Sequence, residues 1–344
     1  MSVPPALALL LSVVLLAGCS QSPSPAPGAA PSTAPPSSTA SVPTPGTPTP
    51  GTPPPASPAP STSTPAPPSP SPSASASPTR LELPRGGTTV FPRYRLVGYA
   101  GVTGYPPLGR LGIGNLDKRV DELERLAKPY GGKREVLPVL EIIATIVQAS
   151  PGADGKYRTR LSDPEIRRYL KAARAHRAVL LLNIQPGRAR FLDEVKAYDR
   201  WLAEPDVGLA LDPEWAMGPG QVPGRTFGRT TGKELDQVAQ HVSRLVARKQ
   251  LPEKVVVYHQ LTRDIVGREQ DLRDRPGVVL VKSIDGIGSR AAKIDTYDYV
   301  NKGTPRFVHP GFKIFFEEDA ESGPVMTPKQ VLALDPVPDY VMYE

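Results

Sequence analysis

The residues best suited to acid–base chemistry follow one apolar segment of this 344-residue chain. Val207–Leu211 leads directly into Asp212, Pro213, Glu214 and Trp215. A carboxyl group can donate or accept a proton, and an aromatic ring beside it can stack on a sugar ring. The active-site loops of (β/α)8 barrels converge at the C-terminal ends of the strands. If the chain folds as a barrel, this segment therefore predicts a catalytic site.

A purely structural interpretation of the same three residues is also open. The order Asp-Pro-Glu recurs at 163–165, directly after Ser162, where the pattern indicates the start of a helix. Asp is a favoured helix N-cap, Pro is tolerated in the first turn, and Glu there interacts favourably with the helix dipole. Asp212 and Glu214 could therefore form a helix start and carry no chemistry.

The end of the segment resembles the fourth-strand signature of glycoside hydrolase family 18, the chitinase-like barrels, which reads D-G-x-D-x-D-x-E. Gly208, Asp212 and Glu214 match this signature, whereas Val207 and Ala210 replace its first two aspartates. The resemblance implies that Glu214 protonates the glycosidic oxygen. It also implies that Asp212 steadies a substrate acetamido group that acts as the internal nucleophile, which is the substrate-assisted scheme.

A second resemblance is to the retaining glycosidases whose two acids follow strands four and seven. These enzymes need two carboxylates about 5 Å apart across the barrel mouth. Glu214 follows the fourth predicted strand, and Glu317 and Glu318 come at the end of the seventh. The resemblance implies that Glu317 or Glu318 is the nucleophile, although Pro213 stands where that clan usually has Asn.

Further side chains near predicted strand ends are expected to line the same cleft. The predicted substrate-binding residues are Trp215, Tyr99, Glu141, Asn183, Tyr258, His259 and Gln260. Other polar groups at strand ends are Gln185, Asp285 and Glu344. Lys282 lies in a run of valines and needs an anionic partner, for which Asp212, Glu141 and Glu317 are the candidates.

Other chemistries find little support in the sequence. The four histidines show no metal-binding spacing, so we predict no metal and no cofactor, although a barrel could still gather His259, Asp285 and Asp212 around an ion. No G-x-S-x-G segment follows a strand, and no phosphate-binding P-loop is present. Basic residues alternate with acids instead of clustering, which argues against nucleic acid as a partner.

Alternating apolar strands and amphipathic helices must position these groups. The predicted strands are 95–100, 136–143, 178–184, 207–212, 254–260, 278–284, 312–317 and 339–343. The predicted helices are 115–127, 163–176, 190–202, 232–249, 264–273, 289–300 and 327–333. This order predicts an α/β fold, a (β/α)8 TIM barrel over residues 80–344, with long loops at 145–162 and 216–232 that build up the cleft. An open doubly wound sheet is the alternative, but the chain has no G-x-G-x-x-G turn.

The first 79 residues are expected to export and tether the barrel. Residues 6–17 form an apolar run of signal-peptide length, and Leu16-Ala17-Gly18-Cys19 resembles the lipobox of bacterial lipoproteins. The resemblance implies that the signal peptide, residues 1–18, is removed and that Cys19, the only cysteine, is lipidated. Residues 19–79 are almost entirely Pro, Ser, Thr, Ala and Gly, a composition typical of a disordered linker.

Together these features predict an extracytoplasmic protein, anchored to the cell membrane through a lipid on Cys19. The predicted function is that of a glycoside hydrolase-like protein acting on a cell-wall or other extracellular glycan. The alternatives are a non-catalytic barrel of the envelope that binds glycan or protein, and a structural envelope protein. The net charge of +7 favours attraction to anionic wall polymers or lipid headgroups.

Overall fold

The structure, a computed structural model, describes residues 81–344, and these residues form the predicted barrel. Successive strands pair in parallel, and the barrel closes because β1 pairs with both β2 and β8. The barrel strands are β1 (Tyr94–Ala100), β2 (Glu135–Val147), β3 (Val179–Ile184), β4 (Val207–Leu211), β5 (Lys254–Gln260), β6 (Val278–Ile284), β7 (His309–Ile314) and β8 (Tyr340–Tyr343). The predicted α/β TIM barrel is confirmed. The signal peptide, the lipidation of Cys19 and the linker 19–79 lie outside the described residues.

Helices cover the outer face of the barrel. Within residues 81–344 the α-helices are α1 (Leu116–Ala127), α2 (Asp163–Ala175), α3 (Phe191–Lys196), α4 (Asp199–Leu202), α5 (Gly232–Lys249), α6 (Arg290–Asn301) and α7 (Pro328–Val331). Asn115, Thr231 and Ser289 precede α1, α5 and α6. The side chain of each one caps its helix by accepting a hydrogen bond from the backbone N–H three residues later. In this part of the chain no helix is both long and apolar enough to cross a membrane.

Two predicted helices differ from those observed. The prediction at 190–202 is divided into α3 and α4. The helix predicted at 264–273 is wrong, because Val266–Gly267 pairs with Thr230–Thr231 as a short parallel ladder. Arg268 then has a φ of +52°, a left-handed conformation that interrupts any helix. Tertiary pairing therefore overrides the local helical pattern.

The inner face of the barrel changes from apolar to polar along its axis. Alternate residues of the strands form an inner apolar cluster that includes Val139, Leu181, Ala210 and Val257. Two residues further along, the same alternation brings polar groups to the inner face near the C-terminal strand ends. These groups are Glu141, Asn183, Asp212, His259, Asp285, Lys313 and Glu344. The candidate site is therefore the polar end of a packed barrel interior.

Candidate active site

Asp212 lies at the centre of this polar end, where β4 finishes. Its Oδ1 accepts a hydrogen bond from the Asn183 amide at 3.1 Å, and its Oδ2 accepts one from the Gln185 amide at 3.0 Å. The 3-10 turn Pro213–Trp215 follows, but the Asp212 side chain makes no capping bond to it. Asp212 therefore occupies the N-cap position of this short turn, as the structural interpretation predicted, but its side chain is engaged by Asn183 and Gln185 and does not cap.

The comparable residues at 163–165 behave differently. There Ser162 is the N-cap of α2, and its backbone N–H donates to the Glu165 carboxylate at 2.9 Å. The order Asp-Pro-Glu thus starts a helix in one place and positions two buried acids in the other.

Glu214 points a carboxyl group into a cavity at the barrel mouth. The residue is only 7% exposed, and its Oε2 has no hydrogen-bond partner among residues 81–344. Burial raises the pKa of Glu214 well above its usual value, and the nearby Asp212 and Asp285 carboxylates raise it further. Burial also raises the pKa of Asp212, although His259, Lys313 and the Asn183 amide lower it. The rise is larger at Glu214, which therefore holds its proton more tightly than Asp212 does.

A charged network lies directly beneath the cavity. His259 is fully buried, and its Nδ1 donates to Asp285 at 2.8 Å while its Nε2 donates to Glu141 at 3.0 Å. Burial alone would lower the pKa of His259, but Asp285 and Glu141 raise it well above its usual value. The ring is therefore an imidazolium that joins two buried carboxylates.

This arrangement does not fit a metal at His259, Asp285 and Asp212. Both ring nitrogens of His259 carry a proton and donate to carboxylates, so neither has a free lone pair for a cation. A separate group of potential ligand atoms lies on the outer surface, at Asp121, Glu124 and His176. Glu124 already pairs with Arg85 at 3.3 Å. We assign no metal to either group.

Lys313 on β7 is the functional residue that sequence reasoning missed. Its Nζ lies 3.2 Å from Asp285 and 2.7 Å from Glu344. Lys282, the lysine that the sequence singled out, faces outward and pairs instead with Glu269 at 3.0 Å. In the structure Val279 and Val281 are inner residues, which places Lys282, the next residue, on the outer face, and no alternation of polar and apolar residues in this strand marks that register.

The cavity beside Glu214 has a volume of about 40 Å³. This is room for a few water molecules and far below the roughly 300–1,000 Å³ of typical ligand pockets. Its lining consists of Pro107, Leu108, Ile143, Asn183, Gln185, Asp212, Glu214, Trp215, Leu261, Asp285, Lys313, Phe315, Glu318 and Glu344. A substrate sugar therefore needs the surrounding loops to open, or must extend into the neighbouring space.

That neighbouring space is a cleft of about 260 Å³, which we call the outer cleft. It is lined by Pro106, Pro107, Gly109, Arg110, Ile113, Phe316, Glu317, Glu318 and Glu344. Pro107, Glu318 and Glu344 also line the cavity beside Glu214, so the two spaces are adjacent. Together they are the part of the barrel mouth that could hold a ligand.

The sequence-predicted site residues divide between this mouth and the outside of the barrel. Asn183, Trp215 and Glu318 line the cavity with Asp212 and Glu214, while Glu141 and His259 support it from beneath. Glu317 is exposed and lines only the outer cleft. Glu317 and Glu318 both follow β7, which ends at Ile314 and not at 317 as predicted.

Three predicted substrate-binding residues lie outside the cleft. The Tyr99 hydroxyl donates to Glu122 on α1 at 3.1 Å, and the Tyr258 hydroxyl donates to Glu269. The Gln260 amide donates to the backbone carbonyls of Thr262 and Arg263. Tyr99, Tyr258 and Gln260 occupy the outward positions of their strands, and this alternation corrects the expectation that they face the cleft.

A buried ion pair holds two of the loops at the barrel mouth. Lys293 on α6 lies 2.9 Å from Asp319, which follows β7, and both residues are buried. The Asp319 carboxylate also accepts the backbone N–H groups of Gly288 and Phe315, each at 3.0 Å. One side chain thus joins the loop after β6 to the loop after β7 and fixes Phe315 at the cavity.

No protein-family model matches the chain, and no curated protein is significantly similar to it. A TIM barrel supports many unrelated activities, so the fold does not decide the function. We therefore infer the function from the geometry and charges of the site.

Proposed function

We propose that the protein is a glycoside hydrolase, anchored to the outer side of the cell membrane through Cys19, that acts on a cell-wall or extracellular glycan. The observation that carries the proposal is the Glu214 carboxyl group, buried in a cavity at the C-terminal end of β4 with one oxygen unpartnered. A protonated carboxyl with no protein acceptor is available to a ligand oxygen. The lipobox and the proline-rich linker support the proposed location.

In this proposal Glu214 is the general acid. It donates its proton to the glycosidic oxygen, and the bond from that oxygen to the sugar carbon breaks as positive charge develops on the ring. Water then forms the new bond to that carbon and gives a proton to the Glu214 carboxylate, which restores the acid. The pKa of Asp212 is raised less than that of Glu214, so Asp212 loses its proton first, and the Asn183 and Gln185 amides donate to the resulting carboxylate. The two carboxylates thus have different protonation states, as glycosidase chemistry requires.

Asp285 supplies a second permanent negative charge at the cavity. His259 and Lys313 overcome the effect of burial and hold the pKa of Asp285 well below its usual value. Asp212 and Asp285 therefore stabilise the oxocarbenium-like transition state, whose charge is positive. This assignment gives the second-carboxylate role to Asp285 in place of the exposed Glu317.

The alternative is a non-catalytic barrel that binds glycan or protein. The small volume of the cavity beside Glu214, about 40 Å³, favours it, because a sugar ring cannot enter without movement of the loops. A binding protein would retain its ligand unchanged, so measuring turnover and binding on the same glycan separates the two functions.

Glu214→Gln is expected to lower turnover by at least about 100-fold, because Gln has the same shape but no proton to donate. The measurement is the rate of release of reducing ends from a panel of wall and extracellular glycans. Glu321→Gln is the matched control, since Glu321 is exposed and does not line the cavity. Equal rates for the wild type and Glu214→Gln would exclude the acid role.

The same variant is expected to become more stable than the wild type as the pH rises. A carboxyl group whose folded-state pKa is raised contributes stability below its unfolded pKa, about 4.3 for Glu, and loses that contribution as the pH rises. Burial raises the pKa of Glu214, and Gln does not titrate. Urea unfolding should show that the unfolding free energy of Glu214→Gln, relative to that of the wild type, is greater at pH 8 than at pH 5. A variant less stable than the wild type at pH 8 contradicts this assignment.

A further inference from the structure

The outer cleft presents two carboxylates that no cation of the described chain neutralises. Glu317 is exposed, Glu318 is half-buried, and both line the cleft. Neither side chain forms an ion pair within residues 81–344. Burial raises the pKa of Glu318, and the neighbouring Glu317 charge raises it further. This charge does not follow from the overall composition, because the chain carries a net charge of +7.

The two cations nearest to the cleft are already engaged. Arg110 lines it, and its guanidinium pairs at 2.9 Å with Glu122, a carboxylate that Arg119 also contacts. Lys313 lines the inner cavity and lies between Asp285 and Glu344. The side chains of the barrel mouth therefore leave a local excess of negative charge.

A second observation at the same site points to a ligand. The outer cleft shares Pro107, Glu318 and Glu344 with the inner cavity, into which the Glu214 carboxyl projects. Glu214 is more than nine-tenths buried, yet its Oε2 has no hydrogen-bond partner in the described part of the chain. A buried polar atom of this kind is costly unless a ligand or water satisfies it. The acidic cleft and the unpartnered acid thus belong to one continuous site.

The outer cleft also offers apolar surface for a sugar ring. Phe316 stacks on Tyr343 with their ring centroids 5.2 Å apart, so its orientation is fixed. Phe316 lines the cleft with Pro106, Pro107 and Ile113. The Arg110 guanidinium also lies over the Phe316 ring, 5.9 Å from its centroid. The apolar surface left for a sugar ring is therefore that of Pro106, Pro107 and Ile113, with the carboxylates at its rim.

We propose that the glycan recognised at this site carries free, protonated amino groups. One sugar lies against Pro106 and Pro107, and its ammonium group lies beside Glu317 and Glu318. An N-acetylated sugar would place a neutral acetamide there and leave both carboxylates unneutralised. The identification of the ligand as a glycan rests on the proposed function, whereas its positive charge rests on the cleft.

The test compares a glucosamine pentamer with its fully N-acetylated counterpart, titrated calorimetrically into the full chain at pH 6. The glucosamine pentamer is expected to bind at least 10-fold more tightly, and this preference should weaken as salt screens the charges. Glu318→Gln should reduce the preference several-fold. Glu321→Gln is the matched control, because Glu321 is exposed and lies outside the cleft.

Three results would overturn the proposal. Equal affinity for the two pentamers would remove the role of the amino group, and binding of neither would remove the site. Equal affinity for a lysine pentamer and the glucosamine pentamer would show that the cleft recognises charge without the sugar. Because the readout is binding, a chain that binds the amino sugar without cleaving it contradicts only the hydrolase assignment. A chain that cleaves only acetylated glycan contradicts only this inference.

Discussion

Lys313→Met is expected to destabilise the barrel by about 3–5 kcal/mol, the usual effect of removing one partner from a buried ion pair. Lys313 lies 3.2 Å from Asp285 and 2.7 Å from Glu344, and it is 7% exposed. Met has a similar length but no charge, so the two carboxylates would lose their shared cation. The free energy of unfolding from urea titration at pH 7 measures the effect.

Two variants test whether the charge of Lys313 is responsible. Lys329→Met makes the same change at an exposed position of α7 and should alter the stability by less than about 0.5 kcal/mol. Lys313→Met combined with Glu344→Gln should be less destabilised than the sum of the single variants, because one of the unpaired acids is removed as well. Strict additivity, or a loss below about 1 kcal/mol for Lys313→Met, would contradict the proposed ion pair.

His259→Leu is expected to lower the free energy of unfolding by a similar amount, about 3–5 kcal/mol, because Glu141 and Asp285 both lose a cationic hydrogen-bond donor. The imidazolium joins these two carboxylates at 3.0 and 2.8 Å, and all three residues are essentially inaccessible to solvent. His241→Leu is the control, since the contact of His241 with Asp199 is partly exposed. It should cost about 1 kcal/mol or less.

The loss of unfolding free energy caused by His259→Leu should depend on pH. The folded-state pKa values of Glu141 and Asp285 are lowered, chiefly by His259, although burial opposes this. Such groups contribute stability above their unfolded pKa, near 4 for carboxyls, and lose it as the pH falls. Below about pH 6.5 the contribution of the His259 imidazolium, whose pKa is raised, is complete. The difference in unfolding free energy between wild type and His259→Leu should therefore narrow from pH 5 to pH 2, as the two carboxyls are protonated. A difference that widens toward pH 2 would show that the network is not charged as described.

The fold was readable from the sequence because its strands are continuous apolar runs separated by capped, amphipathic helices. Asn115 and Ser162 mark helix starts that the structure retains. The helix predicted at 264–273 was not recoverable from local pattern. Its residues pair with Thr230–Thr231, which lies over thirty positions earlier in the chain. A contact of that separation leaves no periodic signal within the segment.

The site was predictable at the level of strand ends but not at the level of strand faces. Asp212, Asn183 and His259 were found, whereas Tyr99 and Tyr258 were placed on the wrong face. A shift of one residue moves a side chain from the interior to the outside of a barrel. In uniformly apolar strands, polar and apolar residues do not alternate, so the sequence does not fix that register.

The ion pair between Lys293 and Asp319 limits how this barrel can be re-engineered. The Asp319 carboxylate accepts the backbone N–H of Gly288 in the loop after β6. It also accepts the backbone N–H of Phe315 in the loop after β7, to which Asp319 itself belongs. Grafting the loop after β7 from another barrel would remove Asp319 and leave Lys293 buried without its acid, and grafting the loop after β6 would displace the Gly288 N–H that Asp319 accepts. The loops after β6 and β7, together with α6, are therefore a single exchangeable module, and a library that varies them separately would consist largely of unstable proteins.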